Sequence, residues 1–237
     1  MKTKQFGHIY QLTFLPRLFP INCYLVDEGR ELMLVDTGMS FCTKGILKAI
    51  KRLKKPLTRI ILTHAHVDHV GSLDAVKAEF PQAWVYISTR DARILAGDLN
   101  LEALEDQTEI KGGTIQVETE PDKLLTAGDH VGSLTAYLVP GHTPGSMAFY
   151  QASSQALLAG DAFVVQGGLA VAGDKRWRFP FSAAATWSLS TAIKSAERLN
   201  QLPVQYLMVG HGKVIQRANR RMAVAIAGAK RRQGRQL

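Results

Sequence analysis

The chain has 237 residues, of which 46% are hydrophobic and 21% are charged, and its net charge is +9. A chain of this length can bury a sizeable core. Because nowhere do about 18 apolar residues follow one another, and residues 1–14 lack the apolar run of a signal peptide, the sequence excludes a membrane-spanning helix and predicts a cytoplasmic protein.

Apolar runs and the residues that end them predict alternating strands and helices in the first half of the chain. Strands are predicted at residues 9–14, 22–26, 31–35, 59–63 and 84–87. Helices are predicted at residues 40–55, 73–80 and 89–96, the first with Ser40 as N-cap and Pro56 as its end. Residues 98–122 carry many acidic groups and fit either a helix or a mobile cover near a site.

The second half of the chain continues the alternation. Strands are predicted at residues 135–139, 156–159 and 205–209, and helices at residues 183–202 and from 216 onward. Residues 229–237 are predicted to form a frayed basic tail. Since no stretch rich in Pro, Gly or Ser divides the chain, we predict a single domain over residues 1–237.

The run His64-Ala65-His66-Val67-Asp68-His69 directly follows the strand predicted at residues 59–63. In an extended chain, side chains two residues apart point the same way, so His64 and His66 can bind one metal ion. Asp68 and His69, beyond the bend, would then face a second ion. Surface or core histidines are the other interpretation, and the density of the run favours metal.

Three further residues of ligand type follow apolar runs, each directly after a glycine: His142, Asp161 and His211. Strand ends fix the positions of such side chains in folds built on sheets. Each residue alone could serve a turn or a helix cap, but their coincidence with the histidine run predicts a metal centre. The two cysteines, Cys23 and Cys42, lie in apolar segments and are predicted to be buried free thiols rather than ligands.

With these motifs the chain resembles the metallo-β-lactamase fold superfamily over nearly its whole length. The resemblance implies an α/β fold, a four-layer αβ/βα sandwich of two mixed β-sheets flanked by helices. It also implies two zinc ions per chain, with iron or manganese as other metals of the same site. Carried over residue by residue, it assigns His64, His66 and His142 to the first metal, Asp68, His69 and His211 to the second, Asp161 to both, and Asp36 to a supporting role.

Two metal ions about 3.5 to 4 Å apart, as this site would hold, are typical of enzymes that catalyse hydrolysis. A water held between them loses a proton near neutral pH, and one metal can polarise the substrate oxygen while the other stabilises the leaving group. We expect Asp68 and Asp161 to be the catalytic carboxylates. Hydroxyls of Thr63, Thr143 and Ser146 are candidates for orienting the ligands.

The substrate predicted is a small molecule with an ester, thioester or lactone carbonyl and an apolar acyl part. Apolar residues crowd two segments and would suit an acyl pocket, with core packing as the other interpretation: Phe14, Leu15, Leu18 and Phe19, and Phe163, Val164, Val165, Trp177, Phe179 and Phe181. A glutathione thioester is not expected, because relatives of the glyoxalase II type carry a longer extension than the 26 residues after His211. A lactone is left open but unsupported, because Val164 stands where many lactonases have Tyr. Antibiotic hydrolysis is disfavoured, because the common exported β-lactamases carry Cys where Asp161 stands.

A phosphodiesterase or nuclease acting on an anionic substrate is the first alternative. Residues 41–59 carry seven basic groups and residues 211–237 carry eight, with no acidic group in either segment. A solvated outer face is the favoured interpretation of these segments, and binding to nucleic acid or to an acidic surface is the other. A mononuclear iron dioxygenase of the same fold is the second alternative, and the sequence does not indicate an oligomeric state.

Overall fold

The computed structural model of the chain describes residues 1–235. These residues divide into two compact units. The first comprises Met1–Asp98 and Thr114–Leu125, and the second comprises Leu99–Gly113 and the described chain from Thr126 onward. A single domain over residues 1–237 stays a prediction.

The first unit is built on a seven-stranded mixed sheet in which neighbouring strands follow one another in the chain. The strands β1 to β4 pair antiparallel and β4 to β7 pair parallel. The strands are β1 Lys2–Phe6, β2 Ile9–Phe14, β3 Ile21–Asp27, β4 Leu32–Val35, β5 Leu57–Ile61, β6 Trp84–Ser88 and β7 Lys123–Leu125. The helices are α1 Thr43–Leu53, α2 Val67–Val70, α3 Leu73–Glu79 and α4 Thr89–Leu95.

The start of the first long helix differs from the prediction. Ser40 begins a short 3-10 turn, Ser40–Cys42, and α1 starts only at Thr43, whose hydroxyl donates to the carbonyl of Ser40. Ser40 is therefore not the N-cap, because the backbone bends once more before the α-helix begins. The helix ends at Leu53, since Lys54 adopts a left-handed backbone with φ 54°.

The second unit holds a six-stranded mixed sheet and a separate pair of strands. The order in the sheet is β15-β14-β11-β10-β9-β8, with β11 and β14 parallel, and β12 pairs antiparallel with β13. The strands are β8 His130–Val131, β9 Leu134–Leu138, β10 Met147–Gln151, β11 Ala156–Leu158, β12 Phe163–Val164, β13 Ala170–Val171, β14 Tyr206–Met208 and β15 Ile215–Gln216. The helices are α5 Phe181–Ala184, α6 Leu189–Leu199 and α7 Asn219–Gln233.

The helix predicted over residues 183–202 is two helices. Trp187 and Ser188 donate their backbone N–H groups to the carbonyls of His142 and Gly141, so the chain leaves the helical path between α5 and α6. The Ser188 hydroxyl then accepts from the N–H of Thr191 and caps α6. These partners lie more than 40 residues away in the chain, and local periodicity does not report them.

The frayed tail predicted over residues 229–237 is corrected for residues 229–233. These continue α7 to Gln233, because Ala229 is fully buried in the core of the second unit. Residues 236–237 of that prediction lie outside the described residues.

Residues 98–122 contain no helix in the part of the chain that the structure describes, so the helix alternative for this stretch is wrong. Hydrogen bonds to other segments fix this stretch instead. Within the second unit, Thr108 exchanges two bonds with Trp187. Within the first unit, the Asp74 carboxylate accepts from the N–H groups of Glu118 and Thr119.

Two large mixed sheets with accompanying helices confirm the predicted α/β class. The core of the second unit gathers Phe163, Leu207 and Met222 with residues of α6. Among the described residues, no helix is both long enough and apolar enough to cross a membrane.

Candidate metal centre

In the first unit, four predicted ligands lie together just beyond the end of β5. His64 and His66 follow the strand in extended chain, while Asp68 and His69 lie on α2. The ligand atoms of His64 and His66 lie within 4.8 Å of each other, as do those of Asp68 and His69. All three histidines are buried. Their position matches the expectation that ligands gather at a strand's carboxyl end.

Asp36 and Thr63 determine which ring nitrogen of two of these histidines carries the proton. Asp36 Oδ2 lies 2.8 Å from both Nδ1 of His69 and the Thr63 hydroxyl. An ionised carboxylate can only accept, so His69 carries its proton on Nδ1. The Thr63 hydroxyl uses its one proton toward Asp36, so at 3.0 Å it must accept from Nδ1 of His64. Both rings therefore keep a lone pair on Nε2, the atom that can bind a metal.

The backbone around Asp36 holds it firmly in that position. Asp36 ends β4 with φ 60°, a conformation that Asp tolerates better than most residues. Its Oδ1 accepts from the N–H of Thr63 at 2.8 Å. The N–H and hydroxyl of Thr37 both donate to the carbonyl of His69, at 2.7 and 2.9 Å. Asp36 and Thr63 thus contact two of the predicted ligands, His64 and His69, and their supporting and orienting roles at a metal stay predictions.

A further carboxylate, Asp91, supports the histidine run and was not found from the sequence. It is fully buried at the start of α4, and its Oδ2 accepts from the N–H of Ala65 at 2.9 Å. This bond fixes the backbone between His64 and His66. The only local signal is Ser88, three residues earlier, which caps α4 through the N–H of Asp91.

In the second unit, the structure brings together the other three predicted ligands. Oδ2 of Asp161 lies 3.1 Å from Nε2 of His211 and 3.6 Å from Nε2 of His142. One carboxylate oxygen thus lies between two imidazoles, all of them buried. Asp161 follows β11 and His211 follows β14, and these strands are parallel neighbours, so their carboxyl ends lie side by side.

Thr186 fixes the ring of His142 and was also missed. Its hydroxyl donates to the carbonyl of Ser182 at 2.6 Å, so it must accept from Nδ1 of His142, 3.0 Å away. His142 consequently also keeps its lone pair on Nε2. Thr186 stands 44 residues from His142 in the chain, and no local motif announces it.

Thr143 and Ser146 bond to each other within their turn, and their predicted role in orienting ligands stays a prediction. Their hydroxyls lie 2.6 Å apart, and the Ser146 hydroxyl accepts from the N–H of Thr143 at 3.0 Å. The turn is packed tightly against α6, because a Cβ on Gly141 would lie 2.3 Å from the Cα of Ala192. These hydroxyls shape the loop that carries His142.

The apolar residues predicted to line an acyl pocket have mixed positions. In the second unit, Phe163 and Phe179 are buried, whereas Trp177 is 82% exposed and Phe181 is 56% exposed. The ring centroids of Phe179 and His211 lie 5.4 Å apart, which makes Phe179 a direct neighbour of a predicted ligand. In the first unit, Phe14 is buried and Leu18 is exposed.

The donor set in each unit fits a divalent metal. Neutral imidazoles with their Nδ1–H groups committed to oxygen acceptors present Nε2 lone pairs, as metal-binding histidines do. Buried carboxylates beside them supply the negative charge that a cation requires. Nitrogen and oxygen donors of this kind suit zinc, iron and manganese alike.

Comparisons with known proteins agree with this chemistry. A family model described as the Metallo-beta-lactamase superfamily matches residues 16–211. The uncharacterized protein YobT of Bacillus subtilis (strain 168) is 50% identical over 232 residues, which cover 98% of this chain and 100% of that protein. A hydroxyacylglutathione hydrolase of Enterobacter sp. (strain 638) is 30% identical over 143 residues, covering 60% of this chain and 47% of that protein. The structure of a metallo-beta-lactamase from Pontibacter korlensis has a TM-score of 0.72 at 18% identity, covering 95% of this chain and 98% of that one.

Proposed function

Because this chain belongs to the metallo-beta-lactamase superfamily and is a metal-dependent hydrolase, we propose that it hydrolyses an ester, thioester or lactone carbonyl in a small molecule with an apolar acyl part. The predicted ligands would hold two zinc ions. His64, His66 and His142 would bind the first, Asp68, His69 and His211 the second, and Asp161 both. The family model spans all seven of these residues.

The observation that best supports this proposal is that His64, His69 and His142 share one tautomer, with the ring proton on Nδ1. Each donates its Nδ1–H to an oxygen whose acceptor role is fixed by a further bond or by charge. A metal ligand requires this arrangement, because its Nε2 lone pair must be directed and available.

When bound, the two cations supply a hydroxide nucleophile at neutral pH and polarise the substrate carbonyl. The chain's own residues would orient the ligands and balance the charge of the cations. Asp36 and Thr63 hold His69 and His64 in one orientation, and Thr186 does the same for His142. Asp161, between His142 and His211, and Asp68 provide the carboxylates that balance the cationic charge and accept protons during turnover.

Thioester chemistry gains support from the likeness to a hydroxyacylglutathione hydrolase. An apolar acyl part gains support from the Phe179 ring beside His211. The two free, buried thiols, Cys23 and Cys42, are typical of reducing compartments and support a cytoplasmic location.

Metal analysis combined with a substrate panel tests the proposal. We would measure metals by mass spectrometry on the purified protein and assay aryl esters, acyl thioesters, lactones and bis-aryl phosphodiesters at neutral pH. Two zinc ions per chain, with acyl turnover that falls at least about 1,000-fold in Asp161→Asn, are expected.

Other results of the same panel would reject it. Turnover of phosphodiesters alone would assign the protein to phosphoryl transfer. One iron per chain without hydrolysis of any substrate would indicate oxygen chemistry. The exposed variant Lys44→Ala serves as control and should behave as the unsubstituted protein.

A further inference from the structure

Five arginines line a concave surface in the second unit, and none of the predicted metal ligands is among its lining residues. They come from α7 and from the loop between β13 and α5: Arg176, Arg220, Arg221, Arg231 and Arg232. The cavity has a volume of about 530 Å³, which lies within the size range of small-molecule sites. Neither the metal chemistry nor the core of the unit accounts for such a concentration of positive charge.

A buried carboxylate fixes two of these arginines. Asp174 accepts two bonds from Arg232, with Nε to Oδ1 and Nη2 to Oδ2 both at 2.5 Å. Nη2 of Arg176 lies 3.2 Å from Oδ2 of Asp174 and also donates to the carbonyl of Leu169. The Asp174 side chain is only 1% exposed. Two guanidinium groups are thus held in place before any ligand arrives, which lowers the entropic cost of binding one.

The charge of the cluster is far from balanced. Asp174 offsets one of the five arginines, and among residues 1–235 no carboxylate pairs with Arg220, Arg221 or Arg231. None of the described residues that line the cavity is acidic. Like charges gathered in a concave surface raise the local positive potential and attract anions.

The arginines flank an apolar floor. Arg220, Val224 and Arg231 share one face of α7, since their spacing of four and seven residues matches whole helical turns. Val224 is 64% exposed at the centre, and Leu169 and Ala225 lie beside it. Arg220 and Arg231 are about 16 Å apart along the helix axis, from a rise of 1.5 Å per residue. Both side chains would have to extend toward the middle of the cavity to share one ligand, which would carry adjacent negative charges beside an organic body.

We propose that this cavity binds a small organic polyphosphate, an anion of nucleotide size. Arginine forks match the geometry of phosphate oxygens and bind them with two parallel hydrogen bonds. The apolar floor suits the organic part of the molecule. A nucleic-acid strand fits less well, because no aromatic side chain on which bases could stack is among the described residues that line the cavity.

Titration calorimetry on the full, metal-loaded chain tests this site, with ADP as the probe and adenosine as its phosphate-free counterpart. We expect ADP to bind with an affinity that falls as salt is raised, and adenosine not to bind. The double variant Arg220→Ala/Arg231→Ala, called the arginine pair, should bind ADP at least about tenfold more weakly, since each substitution removes a charge-assisted phosphate contact. The matched pair Lys44→Ala and Lys51→Ala removes the same charge from exposed positions of α1 and should change the affinity less than about twofold.

Three outcomes would overturn the proposal. The first is that ADP does not bind at low salt, or that the lysine pair loses as much ADP affinity as the arginine pair. An equal loss of affinity would indicate unspecific attraction to positive charge. The second is ADP binding that disappears in Asp161→Asn but persists in the arginine pair, which places the nucleotide at the metals. The third is binding of a 20-nucleotide RNA without binding of ADP, which assigns the surface to nucleic acid. Folding of each variant is checked by its thermal unfolding midpoint, and hydrolysis by the arginine pair should remain unchanged.

Discussion

Oδ2 of Asp36 lies 2.8 Å from Nδ1 of His69, and the two residues are 33 positions apart in the chain. This contact joins the end of β4 to α2 and decides the tautomer of a predicted metal ligand. Through Thr63 the same carboxylate also decides the tautomer of His64. A single buried carboxylate thus leaves the Nε2 lone pairs of both His64 and His69 available.

Replacing Asp36 should therefore weaken metal binding. Asp36→Ala is expected to lower metal affinity and kcat/KM by about 10- to 100-fold, because His69 and His64 lose their fixed orientation. Competition with a chromophoric chelator measures the affinity. Asp36→Asn keeps the shape and tolerates the positive φ, and should retain more stability than the alanine variant. Full metal content and activity in Asp36→Ala would contradict the orienting role.

Thr186 offers a sharper substitution, since valine has the same shape without the hydroxyl. Thr186→Val should reduce metal affinity about tenfold, because Nδ1 of His142 loses its acceptor and the ring can change tautomer. Thr186→Ser retains the hydroxyl and should stay close to the unsubstituted protein. The chelator assay compares all three. If serine and valine variants lose affinity equally, packing and not the hydrogen bond holds His142.

Gly141 tests how closely the His142 loop approaches α6. A Cβ at residue 141 would lie 2.4 Å from the backbone N of Ala192, and the residue has φ 143°. Gly141→Ala should therefore destabilise the protein by about 3 kcal/mol or more. Gly128 also has positive φ, 92°, but nothing lies within 4 Å of its Cβ position. Gly128→Ala should cost only about 1 to 2 kcal/mol. Urea unfolding measures both, and equal losses would disprove the close approach.

The two cysteines should be unreactive in the folded chain. Burial raises the pKa of the Cys42 thiol to about 11 and raises that of Cys23 well above its ordinary value. At pH 8 roughly one Cys42 thiol in 1,000 is a thiolate. Labelling with a disulfide reagent should then be slow, quicken as the pH rises toward 11, and become complete for both thiols in denaturant. Rapid labelling of the folded protein at pH 7 would contradict the burial.

The raised pKa of Cys42 also predicts how the folding stability changes with pH. Below pH 9 Cys42 is protonated in the folded and unfolded chains alike. Between about pH 9 and 11 the unfolded chain ionises first, since its pKa is near the ordinary value of 9.0. Folding stability should consequently fall as pH rises through this range. Urea unfolding at pH 8 and pH 10.5, with Cys42→Ala as the matched variant, measures the difference.

The predicted ligands illustrate what a sequence can show. His64, His66, Asp68 and His69 lie within six residues, and their geometry follows from one strand and one turn of helix. His142, Asp161 and His211 each follow an apolar run, and the strands that precede Asp161 and His211 are adjacent and parallel. Hydrophobic periodicity therefore predicts both the α/β class and the strand ends at which ligands gather.

Only the tertiary structure shows which side chains hold those ligands in position. Thr186 reaches His142 across 44 residues and Asp91 reaches Ala65 across 26. The break between α5 and α6 arises because Trp187 and Ser188 bond to the His142 loop. Arg176 lies beside the arginines of α7 because Asp174, in the loop before α5, bonds to both Arg176 and Arg232. Local patterning specifies which segment forms a strand or helix, since it depends on neighbours within a few residues. Hydrogen bonds between distant segments depend on how the strands and helices pack against one another, and short motifs in the sequence do not specify this packing.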